Sequence, residues 1–287
     1  MRRGTEEEGF PIGAACRALH ISRAGYYRWR SGRAGARIVE NQRVAELAEK
    51  IHRESPDKGY RRIRDDLDKY YHTPVNDKRA LRICRRLGIQ SAVKYTPRGC
   101  TRAAASPKHL AENVLDRRFY ADRPNEKWLT DVTEFHYYVG PTVCKLYLSA
   151  ILDLCDRRIV SFAIRDTNDA SLVHSTLDQA LEAAPGAHPL LHSDRGSTYT
   201  TQIFHDKLAA AGITQSMSRV GKCIDNGPME GFWGILKRER YYGRQFTSRE
   251  QLVRMIQEYI TYYNFRRLQR GLGVRTPMEV HDRLLAA

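Results

Sequence analysis

Long apolar runs are missing from this sequence, and no stretch approaches the roughly eighteen residues that a membrane-spanning helix needs. A secretory leader pattern and lipidation motifs are missing too, so a cytoplasmic protein with no membrane partner is expected. Cysteine occurs six times, at 16, 84, 100, 144, 155 and 223, but never as CxxC, and no Cys/His cluster has the spacing of a tetrahedral zinc site. Zinc modules are thereby excluded, and the cysteines read as reduced packing residues. Internal repeats and heptad runs are absent, which excludes a solenoid or an extended coiled coil.

The most informative absence is of acidic residues. Between residues 78 and 108 the chain carries Lys78, Arg79, Arg82, Arg85, Arg86, Lys94, Arg98, Arg102 and Lys108 and no Asp or Glu. Residues 1–120 hold 27 Lys/Arg against 14 Asp/Glu, whereas residues 121–287 hold 21 against 19, so the net charge of +15 is concentrated in the N-terminal part. Scattered surface charge serves solubility, but a long cationic stretch without acids implies a polyanionic partner, with nucleic acid ahead of a membrane surface.

At 287 residues a core plus a smaller module is expected. Residues 1–36 read as a short helix-turn-helix-like segment: an apolar stretch over 12–19, a break, then Ser22 as N-cap for 23–30. Residues 37–90 read as a helical DNA-binding region, with helices over 38–51, from Gly59 to about Tyr70, and over 75–87. Arg61, Arg62, Lys78, Arg79, Arg82, Arg85 and Arg86 are its candidate DNA contacts. Residues 91–123 form a basic linker with a short helix near 110–119. From 124 to 287 the pattern is α/β: strands in KWLTDVTEF, KLYLSAILD and RIVSFAI, then alternating helices and strands over 171–217, then long helices over 226–241 and 249–264. This order predicts a mixed sheet with helices on both faces.

Three acids stand at telling places. Asp131 interrupts a strand row with Leu129, Thr133 and Phe135, which is otherwise built for burial. Asp194 follows a short buried strand, where ligands of open α/β sheets bind. Glu230 lies in the first turn of a helix opened by Asp225 or Asn226 as N-cap, with Pro228 tolerated near its start. Lys237 follows two turns later on the same face, and Phe232, Ile235, Leu236 and Glu239 make a separate packing face. Singly, each acid has an ordinary reading as a cap or turn residue, the one given to Asp153 and Asp156. Together, three carboxylates suit Mg²⁺ or Mn²⁺, and two such ions would serve an in-line phosphodiester displacement. His192 and His205 read as hydrogen-bonded structural residues. Tyr262, Tyr263, Phe265, Arg266 and Arg267 are open to either packing or DNA stacking.

WLTDVTEF, HSDRGSTYT and DNGPMEGFWGILKRE resemble the three signature blocks of DDE transposases of the insertion-sequence family IS-three, second-reading-frame product. ISRAGYYRW, GYRRI, VNDKRALRICRRLGI and YNFRRLQRGLGVRTPMEV resemble its remaining segments, so the resemblance covers nearly the whole chain. It implies a ribonuclease H-like five-stranded catalytic core in a bacterial cytoplasmic protein. Asp131, Asp194 and Glu230 would be its catalytic metal ligands, and Lys237 a phosphate contact. It further implies terminal inverted repeats and target DNA as substrates, a homo-oligomer in the active complex, and an upstream-frame product or fusion as a partner. Gly227-Pro228 departs from the family's usual small non-proline residues at the start of the third-carboxylate helix. A structure-selective nuclease on the same fold and a non-catalytic DNA-binding remnant remain as alternatives.

Overall fold

The computed structural model describes residues 11–31, 35–92, 110–219 and 222–286. Lys94, Arg98, Arg102 and Lys108, with most of the expected linker, lie outside the described residues. The chain divides into two compact units, Met1–Gln90 and Ser91–Ala287.

In the first unit, α1 (Ile12–Ala18) and α2 (Arg23–Arg30) form the expected short hairpin. Ser22 caps α2, its Oγ accepting from the Gly25 N–H at 3.0 Å. Three further helices follow: α3 (Ala36–Glu54), α4 (Tyr60–Tyr71) and α5 (Asp77–Arg86). Val44, Ala48, Ile51, Ile63, Leu67, Ala80, Ile83 and Cys84 share one apolar core among them, each at helical spacing on its own helix. α4 ends where His72 turns left-handed at φ 48°, and Asn76 opens α5 by accepting from the Arg79 N–H at 2.8 Å.

The second unit is built on five strands: β1 (Lys127–Val139), β2 (Thr142–Asp153), β3 (Ile159–Arg165), β4 (Leu190–Ser193) and β5 (Thr214–Met217). Their order is β3-β2-β1-β4-β5; the first three form an antiparallel meander, and β4 and β5 add in parallel. This is the mixed sheet expected, of ribonuclease H-like order. The helices are α6 (Ala170–Ala183), α7 (Gln202–Ala210), α8 (Gly227–Leu236), α9 (Arg249–Phe265) and α10 (Pro277–Leu285). α6 and α7 bury Val173, Leu177, Phe204 and Leu208 with Trp128, Ile151 and Leu191 on one face of the sheet. α8 and α9 bury Phe232, Leu236, Ile256 and Tyr259 with Leu129, Phe135, Leu146 and Leu148 on the other. Removing such a side chain from water is worth about 1.5–3 kcal/mol, so both faces of the sheet are strongly held.

Three local expectations are corrected. Residues 110–119 form no helix: Asp116 and Arg117 both adopt positive φ, and the segment hydrogen-bonds to β5 instead. β1 runs past Phe135 to Val139, because a hairpin through Gly140 (φ 57°) lets ladder pairing with β2 continue beyond the buried rows. The helix expected over 226–241 is α8 followed by a π-helical turn at Lys237–Tyr241, closed by Tyr242 N–H donating to Lys237 O at 2.7 Å. No helix among the described residues is long and apolar enough to cross a membrane.

Candidate active site

Parallel pairing sets Asp131 beside Asp194. Leu129 pairs with His192, and two residues further along each strand come the two aspartates, Asp194 lying just past the end of β4. Asp131 occupies the row of Leu129, Thr133 and Phe135, all buried, and therefore faces α8. Its Oδ1 accepts from the Val132 N–H at 2.8 Å and its Oδ2 from the Trp233 indole N–H at 3.0 Å. Trp233 stands three residues after Glu230, one helical turn, so this bond ties Asp131 to the helix that carries the third acid. Asp194 Oδ1 accepts from the Gly196 N–H at 2.8 Å, a close approach that a Cβ at Gly196 would obstruct at 2.9 Å.

Neither candidate residue caps α8 with its side chain. Asn226 occupies the N-cap position, but its Nδ2 donates to Thr130 O at 3.2 Å, and Asp225 is fully buried and held by Arg117, Arg219 and Asn113. A 3-10 turn, Cys223–Asn226, leads into the helix, and Pro228 takes an early position that needs no N–H. Glu230 is exposed on the first turn.

Burial, then the charge of Asp194 and that of Glu230, pushes the Asp131 carboxyl up to about 7, against the two hydrogen bonds that favour its ionised form. Burial also raises the Asp194 carboxyl, and partial shielding from water raises that of the more exposed Glu230. Among the described residues none of these three acids has an ion pair with Lys or Arg. Other buried acids are compensated: Asp66 by Lys58, Asp57 by Arg62, Asp225 by Arg117 and Arg219, Glu239 by Arg267 at 2.8 Å, and Asp156 by Arg158 and His281. Asp153 accepts from the N–H groups of Asn125 and Cys155, so Asp153 and Asp156 have the turn roles read from sequence. Asp131, Asp194 and Glu230 thus gather uncompensated negative charge, although no three acid, His or Cys side chains among the described residues converge closely enough to hold a metal ion as placed.

The surrounding residues divide between structure and surface. Lys237 Nζ donates to Glu134 O at 2.9 Å and lies 4.9 Å from the centre of the Phe135 ring, so its amine rests against β1. His192 is buried with Nδ1 2.9 Å from Ser216 Oγ and Nε2 3.1 Å from Ser218 Oγ; burial pushes its imidazole down to about 4. His205 Nδ1 lies 3.1 Å from Gln215 Oε1. Arg267 and Tyr263 are packing residues, whereas Phe265 is 57% exposed. In α5, Lys78, Arg82, Arg85 and Arg86 are exposed at positions i, i+4, i+7 and i+8, one face of the helix. Arg62 pairs with Asp57, Arg79 with Glu40 and Asn41, and the Arg61 guanidinium lies over the Tyr60 ring. Trp233 and Arg117 are not singled out by the sequence, where only Trp233 has a signal, its one-turn spacing from Glu230; Asp225 reads there as an N-cap and is instead the buried acceptor for Arg117 and Arg219.

Comparison with known proteins places these features. An Integrase core domain model matches residues 121–223 and a second model of that description residues 211–277; between them they include all three acids. An HTH-like domain model matches residues 40–96, which falls on α3 to α5 rather than on the α1–α2 hairpin. The chain is 34% identical over 278 residues to the putative transposase InsK for insertion sequence element IS150 of Escherichia coli (strain K12), covering 95% of this chain and 94% of that one. It is 30% identical over 286 residues to transposase InsF for insertion sequence IS3A of the same organism, covering 96% of each. The HTLV-2 integrase catalytic core domain in complex with magnesium aligns over 56% of this chain and 98% of that chain, at 20% identity and a TM-score of 0.41. With this coverage and identity, the chain belongs to the IS-three family of insertion-sequence DNA transposases, polynucleotidyl transferases with an integrase core and an HTH-like domain.

Proposed function

We propose that Asp131, Asp194 and Glu230 are the catalytic acids of this transposase and that they hold two divalent cations, Mg²⁺ or Mn²⁺. The observation that carries this reading is the group of three carboxylates at the sheet edge without a Lys or Arg partner, in a fold that gives Asp57, Asp66, Asp156, Asp225 and Glu239 a basic partner each and holds Asp153, the exception, by backbone N–H groups. All donors are oxygens, which suits hard cations, and a cation would relieve the repulsion that raises Asp131. When bound, such ions supply activation of the attacking oxygen and stabilisation of the leaving one during displacement at phosphorus. The chain's own contribution is placement. β1 and the end of β4 fix Asp131 and Asp194, Trp233 orients the Asp131 carboxylate, and α8 presents Glu230, whose exposed side chain is free to rotate toward them.

The substrate is DNA at the element's ends, the terminal inverted repeats, which are nicked to free a 3′-hydroxyl that then joins to a target phosphodiester. Lys78, Arg82, Arg85 and Arg86 contact DNA from one face of α5, the second helix of a helix-turn-helix pair. Arg61 adds a phosphate contact; Arg62 also pairs with Asp57 in the turn before α4, and Arg79 also joins α5 to Glu40 on α3. Lys237 reaches a phosphate by exchanging its bond to Glu134 O. Two ends must be joined, so the active complex contains at least two copies, with an upstream-frame product or fusion as a further partner.

Asp194→Asn tests the reading. Nicking and joining of end DNA should be lost while binding of that DNA is retained; equal activity in the variant would exclude Asp194 from the metal site.

A further inference from the structure

We infer that residues 110–118 are a positioning element of the active site, and that Asn113 and Arg117 act through Asp225 to fix the turn that presents Glu230. The inference rests on the assignment of Glu230 as the third catalytic acid.

The Asp225 carboxylate is fully buried, and the guanidinium and amide groups around it hold it well below the usual carboxylate range. It accepts from Arg219 N at 3.1 Å, Arg219 Nε at 2.9 Å and Arg219 Nη2 at 2.8 Å on its own side of the chain. From the other side come Arg117 Nε at 2.7 Å and Asn113 Nδ2 at 3.1 Å. The next residue, Asn226, grips Thr130 O on β1, directly before Asp131, and α8 begins one residue later. Asp225 and Asn226 thus pin the entry of the Glu230 helix at two points, one to the sheet and one to the 110–118 segment.

That segment is itself built to hold still. Leu115 is buried in the core beneath β1 and α8, and its N–H donates to Ser216 Oγ at 3.1 Å. Met217 N–H donates to Glu112 O at 3.2 Å, so the segment lines the outer edge of β5. Asn113 serves at both ends of its amide, since its Oδ1 accepts from the Asp116 N–H at 3.0 Å while Nδ2 reaches Asp225. Asp116 and Arg117 adopt φ of 41° and 57°, a backbone that aims the Arg117 side chain back at Asp225 and that non-glycine residues adopt only where the surroundings impose it. The integrase core match begins at residue 121, so this clamp on Asp225 is contributed from outside the matched region.

The test uses the full chain carrying Asn113→Ala with Arg117→Ala, beside Arg117→Lys, the neighbouring Arg118→Ala, and Glu230→Gln. Amide hydrogen exchange over residues 223–231 should speed up about tenfold or more in the double variant, the factor set by losing a charge-assisted hydrogen bond. Locally opening amides of β1 to β3 should exchange as in wild type, and the melting temperature should fall by a few degrees, as loss of partners from the buried Asp225 carboxylate requires. End cleavage should fall by a similar factor and its Mn²⁺ midpoint should rise, with Arg117→Lys recovering part of both and Arg118→Ala moving neither. Unchanged exchange at 223–231, faster exchange spread over the whole sheet, or faster local exchange with wild-type cleavage would each overturn the inference. Glu230→Gln separates the two claims: wild-type cleavage in that variant removes the catalytic assignment of Glu230, while the exchange data still report on the clamp alone.

Discussion

Asp131→Asn should stabilise the metal-free protein at pH 8 and abolish its chemistry. The folded environment raises this carboxyl from 3.8 to about 7, roughly three units at about 1.4 kcal/mol each, so holding it ionised costs on the order of 4 kcal/mol. Because the folded value lies above the ordinary one, the stability this group contributes is fully present below pH 3.8 and is lost as pH rises through about 7. Asparagine carries no charge and escapes that loss. It forfeits something else: the two Asp131 oxygens accept from Val132 N–H and Trp233 N–H, and an amide offers only one acceptor, which leaves one donor unpaired at about 1–3 kcal/mol. The balance at pH 8 is a gain of about 2 kcal/mol, or roughly 4–8 °C in melting temperature for a unit of this size. At about pH 3.5, below the ordinary carboxyl value, Asp131 is protonated in both the folded and the unfolded wild type, so only the lost acceptor remains and the variant should melt lower than wild type. Thermal unfolding of both proteins in EDTA at the two pH values reads the crossover. Adding Mg²⁺ at pH 8 should raise the melting temperature of wild type and do less for the variant. A variant that is less stable than wild type at pH 8 in EDTA would refute the charge-repulsion account of this site.

Replacing Lys78, Arg82, Arg85 and Arg86 together by Ala should lower the salt dependence of DNA binding by roughly 3–4 in log–log slope without lowering the melting temperature, as titrations at several salt concentrations would show. Arg79→Ala should instead lower the stability of the helical unit, since Arg79 joins α5 to Glu40 and Asn41 on α3. Glu239→Ala should destabilise the core by about 3–5 kcal/mol, because it strands a buried Arg267 and the Tyr259 hydroxyl; chemical denaturation would register it.

Much of this fold is written in residue patterns that act locally. The β1 to β3 meander shows in strand-length apolar runs, and the Ser22 cap and the α5 cap at Asn76 follow from side-chain chemistry within a turn. Asp131 and Asp194 were recognisable because an acid in a buried strand row, or at the mouth of a parallel strand, has few structural uses. What escaped depends on contacts distant in sequence. The segment 110–119 has composition compatible with a helix, but its hydrogen bonds go to Ser216 and Met217, a hundred residues away, and that pairing overrides local propensity. Asp225 looked like an N-cap because capping is a local rule, and it is instead the acceptor for two arginines, one of them Arg117. The π-helical turn at Lys237–Tyr241 likewise follows from tertiary packing, with Glu239 held by Arg267 and Tyr241 donating to His136 O. The acidic partners of Arg62 and Arg79, on a neighbouring turn and a neighbouring helix, are likewise not legible from the arginines' own positions in the sequence.

The most direct test of the central claim is strand cleavage and joining of labelled element-end DNA by the purified protein in Mg²⁺, in Mn²⁺ and in EDTA, beside Glu230→Gln. The account predicts nicked and joined products with either metal, none in EDTA and none from the variant. Products in EDTA, or from Glu230→Gln at the wild-type rate, would contradict it.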